Sequence, residues 1–197
     1  MALKRFGIDG YGQLELNNVF FRREGAIEAQ CALDPEGFAK EGEATTKNAT
    51  EGKIYCENGM LLVVDKANGY VRLPKDENEI LPVALNYSTE HMYDERHKRL
   101  GDYYLPTGTF YPRMGYPKKG EIWTTNCLAY DDGEFSDDEA LKTALKDWKK
   151  TPVYGTYCSL GATKLTKTKP NGFALQVAKY YTMPNGTPGV KFQVIEA

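Results

Sequence analysis

Only two histidines and four cysteines occur in the 197-residue sequence, and neither type is grouped for chemistry. Cys31, Cys56, Cys127 and Cys158 are far apart, with no C-x-x-C and no adjacent histidine. A zinc site is therefore not expected; reduced, buried thiols of a protein made in a cytoplasm are. No apolar run approaches the ~20 residues that cross a membrane as a helix. Met1-Ala2-Leu3-Lys4-Arg5 leads into glycines and not into an apolar segment, so no secretory leader is expected. There is no G-x-S-x-G, hence no nucleophile elbow, and no P-loop or Rossmann glycine run follows a strand. The chain is expected to be no enzyme, with no catalytic, cofactor-binding or metal-binding residues and no cofactor. Charge of one sign is also missing. The 25 basic and 27 acidic residues give a formal charge of −2, against a nucleic-acid surface spread over the whole protein. Neither nucleic acid nor membrane is expected as a partner. A domain of ~150 residues buries enough surface to need no disulfide or metal.

Tyrosine is plentiful, 14 of 197 residues. Its large ring and polar tip suit strands and interfaces. The stretch from Gly108 to Tyr130 organises the rest. A short strand leads into the turn Gly115-Tyr116-Pro117-Lys118-Lys119-Gly120, and Glu121 to Tyr130 then alternates with a period of two. It carries no charge after Glu121, which predicts one central strand covered on both faces.

Residues 1 to about 33 differ. Leu14 and Leu16 alternate with polar neighbours, and Phe20 and Phe21 would point to opposite faces of any strand containing both. Two readings stand equally: an extended arm, or an edge hairpin of the main sheet. Asp34 to Gly52, with Pro35, Gly37 and Gly42, reads as a linker, giving an N-terminal arm and linker over 1–50 and a β-domain over 51–197.

From Lys53 the pattern predicts a three-stranded meander. Asn58-Gly59 and Asn68-Gly69 supply the turns, and Met60 to Val64, apolar on both faces, is the central strand. Ile80 to Tyr87 reads as a strand at an edge or starting after Pro82. Ser136-Asp137-Asp138-Glu139 reads as a capping box opening an amphipathic helix over about 137–150, with Ala140, Leu141, Ala144, Leu145 and Trp148 on its apolar stripe. Phe173–Tyr181 and Val190–Ile195 read as the closing strands. The fold class is mainly β: a barrel or sandwich with one amphipathic helix and an extended N-terminal arm.

Three groups could carry function. His91, Asp94, Glu95 and His97 could share helical turns, but they form no H-E-x-x-H and have no third anchor; a solvated surface turn explains them, as does a docking patch of Arg96, His97, Lys98 and Arg99. Asp131, Asp132, Asp137 and Asp138 fit a turn and a cap. Tyr103, Tyr104, Tyr111 and Tyr116 could stack on a sugar, though a tyrosine-rich core has the same look.

The closing strands joined by M-P-N-G-T-P-G, together with K-K-G-E-I-W-T-T-N (Lys118 to Asn126), resemble the small β-barrel decoration, or cement, proteins of tailed-bacteriophage heads. The resemblance covers about residues 100 to 197. It implies a virion protein, made in the host cytoplasm, that binds the major capsid protein and neighbouring copies of itself as a homo-oligomer and stabilises the shell. A tail or baseplate component and a glycan-binding β-module are the alternatives. The residues that fit a self-contained core poorly, Leu14, Leu16, Val19, Phe20 and Phe21 with Arg22 and Arg23, are the candidate interface contacts.

Overall fold

The computed structural model describes residues 2–8, 10–15, 19–20, 27–43, 45, 52–75, 79–88, 103–108, 111–183 and 185–197. The chain is mainly β, with two sheets and one short helix among these residues. In chain order the strands are β1 (Leu3–Arg5), β2 (Ala32–Leu33), β3 (Leu61–Asp65), β4 (Tyr70–Arg72), β5 (Val83–Asn86), β6 (Met114–Gly115), β7 (Ile122–Thr125) and β8 (Leu128–Asp131). Helix α1 (Asp138–Lys146) follows, then β9 (Tyr154–Thr156), β10 (Thr163–Thr166), β11 (Ala174–Thr182) and β12 (Pro188–Glu196).

The seven-stranded sheet runs β1-β8-β10-β9-β11-β12-β7, and the five-stranded sheet β2-β4-β3-β5-β6. The larger sheet has to curl. β7 and β8 lie five neighbour steps apart in its order, roughly 24 Å in a flat sheet at ~4.8 Å per strand. Yet Thr125 and Leu128 are three residues apart, a reach of at most about 10 Å. Rolling the sheet into a half-barrel satisfies both conditions.

This corrects the single strand expected from Glu121 to Tyr130. It is two strands, broken at Asn126 and Cys127, where side chains replace the ladder. The Asn126 Oδ1 accepts the Gln13 N–H at 2.6 Å, and the Thr125 Oγ1 accepts the Cys127 N–H at 2.9 Å. Two-faced burial does hold for most of the stretch, with Trp123, Thr124, Cys127 and Leu128 all inside.

The N-terminal segment touches both ends of the curl. β1 pairs antiparallel with β8, and the Phe6 N–H donates to the Leu128 carbonyl at 3.1 Å. Further along, Leu14 bridges Thr125, and the Glu15 N–H donates to the Thr124 carbonyl at 2.9 Å. Its described residues lie on the main sheet, as the second reading expects, but they pair with β8 and β7 and not with one another as a hairpin. The segment runs extended, but along its own domain.

The interior of the curl holds Trp123, Phe192, Leu165, Leu175 and Val177, with Phe6 and Leu14 from the N-terminal segment. Leu141 and Leu145 of α1 close this core, and Trp148 packs against it half-buried. The helix is shorter than the sequence pattern predicts. Asp137, not Ser136, caps it: its Oδ1 accepts the Ala140 N–H at 2.8 Å, and the last α-helical residue is Lys146. Starting the helix one residue later puts a charged acceptor at the cap, which the helix dipole favours.

A second core lies between the sheets, where Leu62, Val64 and Ala84 meet Cys127, Ala129 and Ala162. β3 sends Leu61 to the first core and Leu62 to the second, so it is the central strand of its sheet, as its two-faced pattern predicts. β5 starts after Pro82, and the β11–β12 hairpin buries Leu175, Val177, Val190, Phe192 and Val194 as the alternation predicts. The meander is corrected in part. β3 and β4 form its hairpin, but Ile54 and Cys56 bridge Phe38 and Leu105 instead of joining β3. The expected linker is corrected too as far as residue 43. Pro35 and Gly37 lie in a turn that delivers Phe38 and Ala39, both 0% exposed, into the second core. The expected boundary near residue 50 lies outside the described residues.

One partly buried ion pair ties β4 to Glu79, ahead of β5. Arg72 clasps the Glu79 carboxylate through both terminal nitrogens, at 2.8 and 3.0 Å. Those hydrogen bonds hold the Glu79 carboxyl below its usual range. A depressed folded-state pKa contributes stability above the unfolded value of about 4.3, and that contribution is lost as pH falls through the folded value. Glu79→Gln is therefore expected to be less stable than the parent at neutral pH and to converge with it in acid. Urea midpoints measured from neutral pH down to pH ~3 check this. A gap that stays constant with pH would assign the loss to packing.

Candidate functional site

Charged and polar side chains gather at the seam where the N-terminal segment meets the two ends of the curl. Arg5 Nη2 lies 2.7 Å from Glu57 Oε2, with the two side chains 10% and 7% exposed. The same carboxylate oxygen accepts the Gly12 N–H at 2.7 Å. Burial disfavours the guanidinium charge, the hydrogen-bonded Glu57 carboxylate favours it, and the Arg5 pKa lies above its ordinary value. Thr125 Oγ1 donates to the Gln13 carbonyl at 2.7 Å. On the facing loop, Asn86 Nδ2 donates to the Glu57 carbonyl at 2.8 Å, and the Ser88 N–H donates to Asn58 Oδ1 at 2.7 Å.

Glycine is required here for space. A Cβ at Gly12 would stand 2.7 Å from both the Asn58 carbonyl oxygen and Cys127 Cβ. At Gly59, whose φ is +88°, it would meet Thr125 Oγ1, and Cys127 Cβ at 2.9 Å. A left-handed φ admits side chains poorly even without such contacts.

The seam groups an arginine, a glutamate, a serine and thiols, but their state does not suit catalysis. Burial pushes the Cys127 thiol up to about 12 and that of Cys158 to about 11, so both stay protonated, and the thiolate is the reactive form. Ser88 Oγ donates to Asn86 Oδ1 at 2.7 Å and accepts the Arg113 N–H at 3.1 Å, with an amide where a base would have to be. The seam pins three parts of the chain to one another.

The structure places three of the expected interface residues, Leu14, Val19 and Phe20, elsewhere than on a free arm. Leu14 and Val19 are 1% and 2% exposed, and Phe20 lies in the same core with its ring 5.8 Å from Trp123. These three are corrected from contact residues to core residues, because the curled sheet has an interior that receives them. Leu16, Phe21, Arg22 and Arg23 lie outside the described residues. So do His91, Asp94, Glu95, Arg96, His97, Lys98 and Arg99.

The four tyrosines have separate settings. Tyr103 is buried. Tyr104 stacks on Tyr55 at 4.1 Å, with Tyr11 beside both, and its hydroxyl donates to Glu41 at 3.0 Å. Tyr116 lies under the Lys66 ammonium, 5.6 Å from the ring centroid, while Tyr111 is exposed. The acidic residues around α1 serve turns and caps: Asp131 accepts the Gly133 N–H, and Asp138 accepts the Tyr130 hydroxyl at 2.8 Å.

A strand edge without a strand partner among the described residues, on a strand that α1 also packs near, was not anticipated. β11 pairs with β12 along its whole length, but with β9 only at Leu175 and Gln176, followed by one bond from the Val177 N–H to the Val153 carbonyl. Beyond Val177, no strand among the described residues pairs with its outer edge. The Met183 N–H donates across the hairpin to Thr187, so by alternation the main-chain groups of Tyr180 and Thr182 point outward. Lys179 and Thr182 are exposed there, and Tyr180 and Tyr181 half-buried. The sequence signal was the length of the Phe173–Tyr181 run, longer than the strand before it can cover. Compared with known proteins, the chain matches no family model, no curated protein and no solved structure.

Proposed function

We propose that the chain is a structural protein of a tailed-phage virion that decorates the head, binding the major capsid protein and neighbouring copies of itself. The edge of β11 beyond Val177, which no strand among the described residues pairs, carries this reading. Unpaired main-chain donors and acceptors on a strand edge accept a strand from another chain, and side-chain pockets set which one. Tyr180 and Tyr181 add large rings with polar tips, a residue type enriched at interfaces. Lys179 on the same edge discourages indiscriminate pairing without removing the main-chain groups. The two segments that carry the family resemblance lie side by side: β7, within Lys118 to Asn126, pairs with β12 from Val190↔Thr125 to Gln193↔Ile122.

The test is mass spectrometry of particles purified from lysed cells of the source organism, with antibody labelling in the electron microscope. The expected result is a copy number comparable to that of the main shell protein, with label on the head. Particles without the chain would overturn the proposal. Label confined to the tail would move the role to the tail or baseplate.

A further inference from the structure

Two concavities meet at Lys169. One, of about 580 Å³, is lined by Lys118 and Lys119 of the turn before β7, by Lys169, and by Ile195 and Glu196 at the end of β12. The other, of about 310 Å³, lies over β9 and β10 and is lined by Thr156, Lys164, Thr166, Asn171 and Glu134. We propose that this double concavity binds an acidic oligosaccharide, one bearing sulfate, phosphate or uronate groups among free hydroxyls. The site does not depend on the virion role.

The donor set selects that chemistry. Lys118, Lys119, Lys164 and Lys169 line the concavities with Glu134 and Glu196, four basic side chains to two acidic ones on a chain whose formal charge is −2, and Ala197 lines the larger concavity beside Glu196. Lys169 and Glu196 pair at 2.8 Å, but both side chains are about half exposed, at 50% and 49%. Such a pair contributes little and exchanges readily. A ligand anion can take Lys169 while Glu196 turns to accept a sugar hydroxyl.

Each concavity holds one acidic side chain, which suits a ligand that brings hydroxyl donors beside its anionic groups. Thr166 and Thr156 spend their hydroxyl protons on the carbonyls of Thr168 and Phe173, at 2.7 and 2.9 Å. Their remaining lone pairs accept from a sugar hydroxyl. Glu134 is held by the Lys167 N–H at 3.1 Å.

None of the lining residues is aromatic, whereas single-stranded nucleic acid binds by stacking its bases on rings. The lysine turn is fixed before any ligand arrives. The Gly120 N–H donates to the Val194 carbonyl at 2.8 Å, and the Val194 N–H to the Glu121 carbonyl at 2.9 Å. A site fixed in advance binds at lower ordering cost.

The test is titration calorimetry of the full chain with a heparin-derived hexasaccharide, trigalacturonate, maltohexaose and octathymidylate. At least one of the two acidic oligosaccharides is expected to bind, more weakly at high salt. Lys164→Gln/Lys169→Gln is expected to weaken binding by about tenfold or more, the effect of losing two charge-assisted contacts. Lys149→Gln/Lys150→Gln, the same charge change in the turn after α1, is expected to leave it unchanged. The inference is overturned if neither acidic oligosaccharide binds. It is equally overturned if maltohexaose or octathymidylate binds as tightly, or if the two double variants lose affinity alike.

Discussion

With Arg5 replaced by methionine, the chain is expected to lose about 3–5 kcal/mol of its unfolding free energy. The guanidinium and the Glu57 carboxylate are 2.7 Å apart with little of either side chain exposed. Without Arg5, a buried carboxylate keeps the Gly12 N–H but no counter-charge. An unpaired buried charge costs more than the pair contributed. Arg5→Met/Glu57→Met is therefore expected to be more stable than Arg5→Met alone, because apolar side chains then fill the site and leave no orphan charge. Urea unfolding at a constant slope reads both values. A double variant no better than the single one would assign the loss to packing around Arg5 and not to charge.

Removing residues 1–15 is expected to leave no cooperatively folded domain. Phe6 and Leu14, 2% and 1% exposed, lie in the interior of the curl. Burying side chains of this size contributes about 1.5–3 kcal/mol each. Adding the loss of the Arg5 partner brings the deficit into the 5–15 kcal/mol range of whole-domain stability. The truncation also uncovers the β7 and β8 edges, which the N-terminal segment pairs with. Circular dichroism through a thermal scan gives the answer. A truncated chain that melts like the parent would show the segment to be dispensable to its own domain.

The strands with local signals were legible in the sequence. β3 shows its two-faced burial in four consecutive apolar residues, Leu61 to Val64, and the β11–β12 hairpin shows its inward set by alternation. Both follow from side-chain period and turn chemistry, which act over a few residues. The break between β7 and β8 was not legible. Asn126 and Cys127 continue the alternation of their neighbours, and the bonds exchanged with Gln13, more than a hundred residues earlier, join the local bond between Cys127 and Thr125 in ending the strand. The same distance hid the seam. Arg5 and Glu57 are separated by 52 positions and look like surface charges in their local context. Phe20 was misread for a related reason. A strand model offers two faces, one of them wet, whereas a curled sheet offers an enclosed interior that holds Phe20 against Trp123. The lysines around Lys169 come from the turn before β7 and from β10, far apart in sequence, so nothing local marks them as one site.

The claim on which the account turns is that the N-terminal segment is a stave of its own sheet. Amide hydrogen exchange on the monomeric full-length chain tests it most directly. The Phe6 and Glu15 amides donate to the Leu128 and Thr124 carbonyls, and the Val194 amide to that of Glu121 within the core hairpin's sheet. The account predicts that Phe6 and Glu15 exchange as slowly as Val194, opening only with the domain. Exchange of Phe6 and Glu15 at the rate of an unfolded chain, with Val194 still protected, would contradict it and return the segment to the role of a free arm.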